Sequence, residues 1–188
     1  MTTVAACEYR GQVWIGGDSA ATDENQDTVE LLEEPKVWLA GGCAWGGAGD
    51  SRYLDLVHYM TLPKLPRAYK SETRSVEAIR RWFVHDLANA IREAWKPDLE
   101  FRSSKSPLPA CALLIGVRGR VYQVFEDFSF GRPLRGYSAI GTGDSHALAH
   151  LDATAKRRMR PKERLAEALT VASERTTIVR PPFRYVHA

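Results

Sequence analysis

The chain opens Met1-Thr2-Thr3-Val4-Ala5-Ala6. A start methionine is usually trimmed when the next side chain is small, and threonine qualifies. Trimming leaves Thr2 with a hydroxyl and a free α-amine on one residue. A hydroxyl alone is a weak nucleophile at neutral pH, but an α-amine with a pKa of about 8 can take its proton. Together they form a nucleophile that carries its own base, suited to attack on an amide carbonyl through an acyl-enzyme. The plainer alternative is that Met-Thr-Thr opens an edge strand and does no chemistry. While Met1 stays, the Thr2 nitrogen is an amide and cannot act as base.

The other reactive side chains do not form a competing site. Cys7, Cys43 and Cys111 lie far apart in apolar stretches, with no Cys-x-x-Cys spacing. They read as buried thiols of a reducing compartment. Of the histidines, His146 and His150 stand four apart, but no His-Glu-x-x-His pattern or carboxylate cluster accompanies them. They read as a solvated helix face, so no metal and no cofactor are expected. A formal net charge of +3 over 188 residues is too small to argue for nucleic acid. The basic run from Lys156 to Lys162 reads as a solvated helix end. No apolar run is long enough to cross a bilayer and no signal-peptide pattern is present. The expectation is one cytoplasmic domain spanning 1–188, without membrane or nucleic-acid partners.

The elements that must position Thr2 follow from periodicity and punctuation. Strands are predicted over 3–9 and 12–17, turned by Arg10-Gly11, with Asp18-Ser19 ending the second. Residues 22–34 are polar and read as an exposed excursion. Strands over 36–40 and 43–45 follow, joined by Gly41-Gly42. Gly46-Gly47-Ala48-Gly49-Asp50 then gives way to a helix carrying Tyr53, Leu54, Val57 and Met60. A long helix is predicted from an N-cap at Ser75 to about Lys96, ended by Pro97. Strands over 110–117 and 120–125 are turned by Arg118-Gly119, and 137–140 is a further strand. Two helices carry Leu148 and Leu151, then Leu165 and Leu169. A short strand over 183–187 closes the chain after Pro181-Pro182. Helices that come in pairs between strands predict stacked sheets with helices outside, not one-by-one βαβ alternation.

Four pieces in order resemble the proteasome β-subunit family, closest to its HslV-type peptidases. They are Thr2-Thr3-Val4, then Val13-Trp14-Ile15-Gly16-Gly17-Asp18-Ser19, then Lys36-Val37, then Trp45-Gly46-Gly47-Ala48-Gly49-Asp50. Tyr137-Ser138-Ala139-Ile140-Gly141-Thr142-Gly143 resembles a later element of that family. The resemblance spans nearly the whole chain. It implies an α+β N-terminal nucleophile (Ntn) hydrolase fold, a four-layer αββα sandwich of two antiparallel sheets flanked by helices. It implies a threonine-type endopeptidase subunit, self-assembled into a homo-oligomeric ring, that degrades unfolded polypeptide supplied by a separate ATP-driven unfoldase. The chain has no phosphate-binding Gly-x-x-x-x-Gly-Lys loop of its own.

On that resemblance Thr2 is the nucleophile. Lys36 is a cation that disfavours protonation of the Thr2 amine, and Asp18 is its partner if it is buried. Gly46 N–H, with Gly47 N–H as a second choice, faces the oxyanion. Thr142 either hydrogen-bonds near the nucleophile or caps the following helix. Glu174 and Thr177 fall where the family places an aspartate and a serine; Glu174 is one methylene longer than that aspartate. Two other readings of the fold stay open: an Ntn hydrolase of small amides, and a non-catalytic ring or shell subunit.

Overall fold

The computed structural model describes residues 2–23, 28–100 and 110–188. Met1, on which the state of the Thr2 nitrogen depends, lies outside them, as do residues 24–27 and 101–109.

Two hairpins start the two main sheets. In the first, β1 (Thr3–Tyr9) turns through Arg10-Gly11 into β2 (Gln12–Gly17). Both turn residues have positive φ, 49° and 78°, which matches the right-handed twist of the strands they join. The same dipeptide turn, Arg118-Gly119 with φ of 51° and 71°, joins β7 (Cys111–Val117) to β8 (Arg120–Val124). β10 (Tyr137–Gly141) and β11 (Arg184–His187) complete a four-stranded sheet in the order β10-β1-β2-β11. β5 (Val37–Ala40), β6 (Cys43–Gly49) and β9 (Phe130–Gly131) complete a five-stranded sheet in the order β5-β6-β7-β8-β9. All of these pairings are antiparallel.

The excursion predicted over 22–34 contains structure. β3 (Ala20–Asp23) and β4 (Thr28–Leu31) pair as a two-stranded ribbon. β4 is exposed along its whole length, so it lacks the half-buried alternation by which a strand is recognised from sequence.

Helices cover the sheets through their apolar stripes. α1 (Ser51–Tyr59) is capped by Asp50, whose carboxylate accepts from Arg52 N–H at 3.2 Å. α2 (Glu72–Arg81) begins at Ser71, not Ser75; Ser71 Oγ accepts from Arg74 N–H at 3.4 Å. A π-helical segment (Trp82–Leu87) links it to α3 (Ala88–Glu100), and Trp82, Phe83 and Leu87 are buried. The wider turn is the usual way one residue is inserted without breaking a helix. Pro97 lies inside α3 instead of ending it. α4 (Asp144–Ala153) and α5 (Pro161–Arg175) follow β10.

Three buried clusters result. One joins α1, the π segment and α3 to β5–β8 through Trp45, Trp82, Leu87 and Ile91. A second joins α4 and α5 to β1 and β10 through Leu151, Leu165 and Leu169. The third, with Val4, Val13, Ile15, Val37, Leu114 and Ile140, lies between the two large sheets. Alternation along β1 feeds two of them: Ala5 and Cys7 face the helices, Val4 and Ala6 the opposite sheet. The three cysteines are buried free thiols. Burial pushes Cys7 and Cys43 up to about 11 and Cys111 to about 12, so none is a ready nucleophile at neutral pH.

Candidate active site

The start of β1, the end of β2 and the start of β5 converge on one buried carboxylate. Asp18 is 1 % exposed. Its Oδ1 accepts from Thr3 N–H at 3.0 Å and from Lys36 Nζ at 3.1 Å, and its Oδ2 accepts from Ala20 N–H at 3.1 Å. Asp18 N–H in turn donates to the Thr3 carbonyl at 3.2 Å. Asp18 therefore ties the first strand to the lysine. Lys36 Nζ also donates to the Ala20 carbonyl. Burial lowers the Lys36 pKa below its ordinary value of 10.5, and the charge and hydrogen bond of Asp18 oppose that shift. A buried lysine with a shifted pKa, paired to one carboxylate and lining a cleft, marks a candidate functional site.

Thr2 stands at the end of this arrangement. It is 6 % exposed, and its carbonyl accepts from Thr142 N–H at 2.8 Å. One residue on, Gly143 N–H donates to the buried Thr3 Oγ1 at 3.0 Å. The loop before α4 is thus stitched to the first two threonines. The next residue after Asp18 anchors the other flank: Ser19 Oγ donates to the Pro182 carbonyl at 2.6 Å. Thr2 and Lys36 line a single cleft of about 130 Å³ together with Ala21, Trp38, Gly47 and Gly49.

The structure brings Thr2, Asp18 and Lys36 together and treats the other expected residues differently. Gly46 does not line the cleft. A Cβ there would meet Val4 Cγ1 at 2.6 Å and Ile15 Cγ2 at 2.9 Å, so its missing side chain serves close packing between the sheets. Gly47 lines the cleft, but its N–H donates to the Lys36 carbonyl at 3.0 Å. β6 runs to Gly49, four residues beyond the Trp45 at which the sequence reading ends it. That places the switch from strand to helix at Gly49, which lines the cleft with a φ of 127°. Gly46 and Ala48 lie opposite Leu114 and Ala112 of β7, and Asp50 N–H donates to Ala110. By the alternation of an antiparallel ladder, Gly49 N–H points to the other side, where β5 has already ended.

Thr142 meets Thr2 through its backbone, while its side chain is exposed. It is not the helix cap either: Gly143 occupies that position, with no side-chain cap. Glu174 is exposed near the end of α5 and is not on the cleft. The buried face of that helix is set by Leu165, Ala168, Leu169 and Ala172, and a residue two positions past Ala172 points away from it. Thr177 is likewise exposed. His150 sits 3.2 Å from Glu167 across α4 and α5, and no cluster of metal-binding side chains occurs among the described residues.

Gly49→Ala is expected to destabilise the fold by more than about 3 kcal/mol, because a Cβ would lie 1.8 Å from the Ala110 carbonyl oxygen at a φ that L-residues avoid. Chemical denaturation checks this; a loss under about 1 kcal/mol would mean that the strand end is not constrained as described.

Two antiparallel sheets packed face to face with helices against them give the chain its fold, and solved structures share it. BPH from Thiobacillus denitrificans, in complex with epoxomicin, superposes with a TM-score of 0.77 at 16 % identity, covering 100 % of this chain and 98 % of that one. Eukaryotic HslV from Trypanosoma brucei superposes with a TM-score of 0.68 at 16 % identity, covering 99 % and 98 %. The Anbu (Gly-1) mutant from Hyphomicrobium sp. strain MC1 gives 0.66 at 18 % identity, covering 99 % and 80 %. No family model matches the sequence, and no curated protein matches it either. The chain therefore has the fold of HslV-like proteins.

Proposed function

We propose that this chain is an N-terminal threonine hydrolase that cuts unfolded polypeptide as a subunit of a homo-oligomeric ring. The observation that carries the reading is the buried Lys36–Asp18 pair at 3.1 Å, on the same cleft as Thr2, in a fold shared with HslV and BPH. The three buried clusters support the finer architecture, a four-layer αββα sandwich forming one domain over 1–188. The ring, a separate ATP-driven unfoldase and a cytoplasmic setting belong to the same reading. No helix of the described residues is long and apolar enough to cross a membrane.

The chemistry begins with loss of Met1. Thr2 Oγ attacks the substrate carbonyl, and its proton passes to the Thr2 α-amine, directly or through a water. The Lys36 cation keeps that amine unprotonated and ready. Negative charge builds on the carbonyl oxygen, and the N–H of Gly49 is the donor we assign to it, replacing Gly46. Collapse of the intermediate breaks the C–N bond. The leaving amine takes the proton held by the α-amine, and an ester remains on Thr2. Water then adds to the ester carbonyl and restores the hydroxyl. Asp18 does not touch the substrate; it holds Lys36 and the backbone of Thr3 in register.

Intact mass is the direct test. The purified protein should weigh one methionine less than its sequence, and its native mass should be a multiple of the subunit. It should cleave casein, and epoxomicin, the compound bound in BPH, should block that cleavage. A protein that retains Met1 quantitatively and yet hydrolyses casein at full rate would overturn the proposed base.

A further inference from the structure

The cleft has a charge pattern as well as a shape. Part of its wall is apolar, formed by Ala21, Leu32 and Leu54. Two carboxylates line the same cleft from different elements: Glu34, in the connection from β4 to β5, and Asp55, on α1. Both are exposed, and neither has an ion-pair partner among the described residues.

The basic groups nearby are engaged elsewhere. Lys36 is held by Asp18 at 3.1 Å and by the Ala20 carbonyl. Arg52, one turn before Asp55, donates from two nitrogens to Asp98, at 2.6 and 3.0 Å. His58 stacks on Trp38 with ring centroids 4.7 Å apart. Burial lowers its pKa from the ordinary 6.5, with Asp55 opposing, so it is largely uncharged at neutral pH. The cleft therefore presents an apolar slot with negative charge at its edge.

We propose that this slot selects a lysine or arginine side chain at the substrate residue whose carbonyl is attacked. The inference rests on the reading of Thr2 as the nucleophile. A volume of about 130 Å³ is far below the range of small-molecule pockets, which starts near roughly 300 Å³. It suits one long side chain. The methylene stem of a lysine or arginine lies along Leu32 and Leu54, while its head stays in water beside Glu34 and Asp55. The same two carboxylates repel an acidic side chain, which adds discrimination by exclusion.

The test uses the trimmed, assembled protein and three fluorogenic peptides that differ only in the residue before the reporter amide: arginine, leucine or glutamate. The arginine peptide is expected to exceed the leucine peptide by about tenfold in kcat/KM, with the glutamate peptide lowest. High salt should shrink the arginine-to-leucine ratio, because exposed charges are screened. In the double variant Glu34→Gln, Asp55→Asn, confirmed to have the same native mass, the ratio should fall toward unity. A wild type that prefers leucine, or a ratio unchanged in the double variant, would overturn the assignment while leaving Thr2 as nucleophile. Absence of cleavage of all three peptides and of casein would remove the nucleophile reading, and this inference with it.

Discussion

Thr2→Ala is expected to abolish hydrolysis while leaving fold and native mass unchanged. Alanine is small enough for Met1 to be removed, so the amine, Lys36 and the cleft all remain and only the attacking oxygen is lost. The rate should drop by at least about 10⁴-fold, the scale on which removal of a nucleophile acts in enzymes of this logic. Stability should change little. The carbonyl of residue 2 still accepts from Thr142 N–H, and the Thr3 contacts to Asp18 and Gly143 are untouched. Casein cleavage by the purified variant, with its native mass recorded alongside, is the measurement. Full activity would end the nucleophile assignment.

The second large effect is expected at Lys36. Lys36→Met keeps the stem and removes the charge, and two results should separate. The rate at neutral pH should fall by about 10²-fold or more, as for loss of a preorganised electrostatic group. The acid limb of the pH–rate profile should also move to higher pH by about one unit. The sign follows from the chemistry. A cation near the α-amine disfavours the protonated amine and so depresses its pKa. Without the cation the pKa rises, and a higher pH is needed to free the base. In the wild type an alkaline limb should lie below 10.5, since burial lowers the pKa of Lys36 and its charge is lost at a lower pH than for an exposed lysine. The variant should lack that limb. Stability should fall by about 3 kcal/mol, because Asp18 is left buried with its charge and only the backbone donors of Thr3 and Ala20. A rate loss with an unshifted profile would make Lys36 a structural residue only.

Much of this was readable from residue order. The strands over 3–9, 12–17 and 137–140 and the two Arg-Gly turns rest on local rules, alternation and the need for positive φ, and these hold wherever the segment sits. The stripes of α1 and α5 are equally local. The Lys36–Asp18 pair was reachable because a strand-end aspartate and a strand-start lysine are neighbours once the hairpins fold.

Where the structure departs from the sequence reading, the causes differ. In Trp45-Gly46-Gly47-Ala48-Gly49 the sequence reads the glycines as turn punctuation. They lie inside a strand, where Gly46 admits Val4 and Ile15 from the facing sheet and Gly47 admits Leu54 from α1. Whether a glycine marks a bend or a close approach depends on what packs against it, and that partner comes from a distant part of the chain. Glu174 was placed by likeness to a family position, but helix phase turns it to solvent. Pro97 reads as a stop, yet α3 runs past it to Glu100, with Trp95 packed against Tyr53.

Residue order by itself determined a threonine ahead of the first strand with a potential free amine and the pattern of paired strands and paired helices; the roles of Lys36 and Asp18 came from the family resemblance its motifs carry. Folding decided that Asp18 is shared by Thr3, Ala20 and Lys36, and that Glu34 and Asp55 line one cleft with Thr2. These are relations between segments far apart in sequence. They arise only when two sheets pack and exclude water between them, because that packing fixes register and burial together.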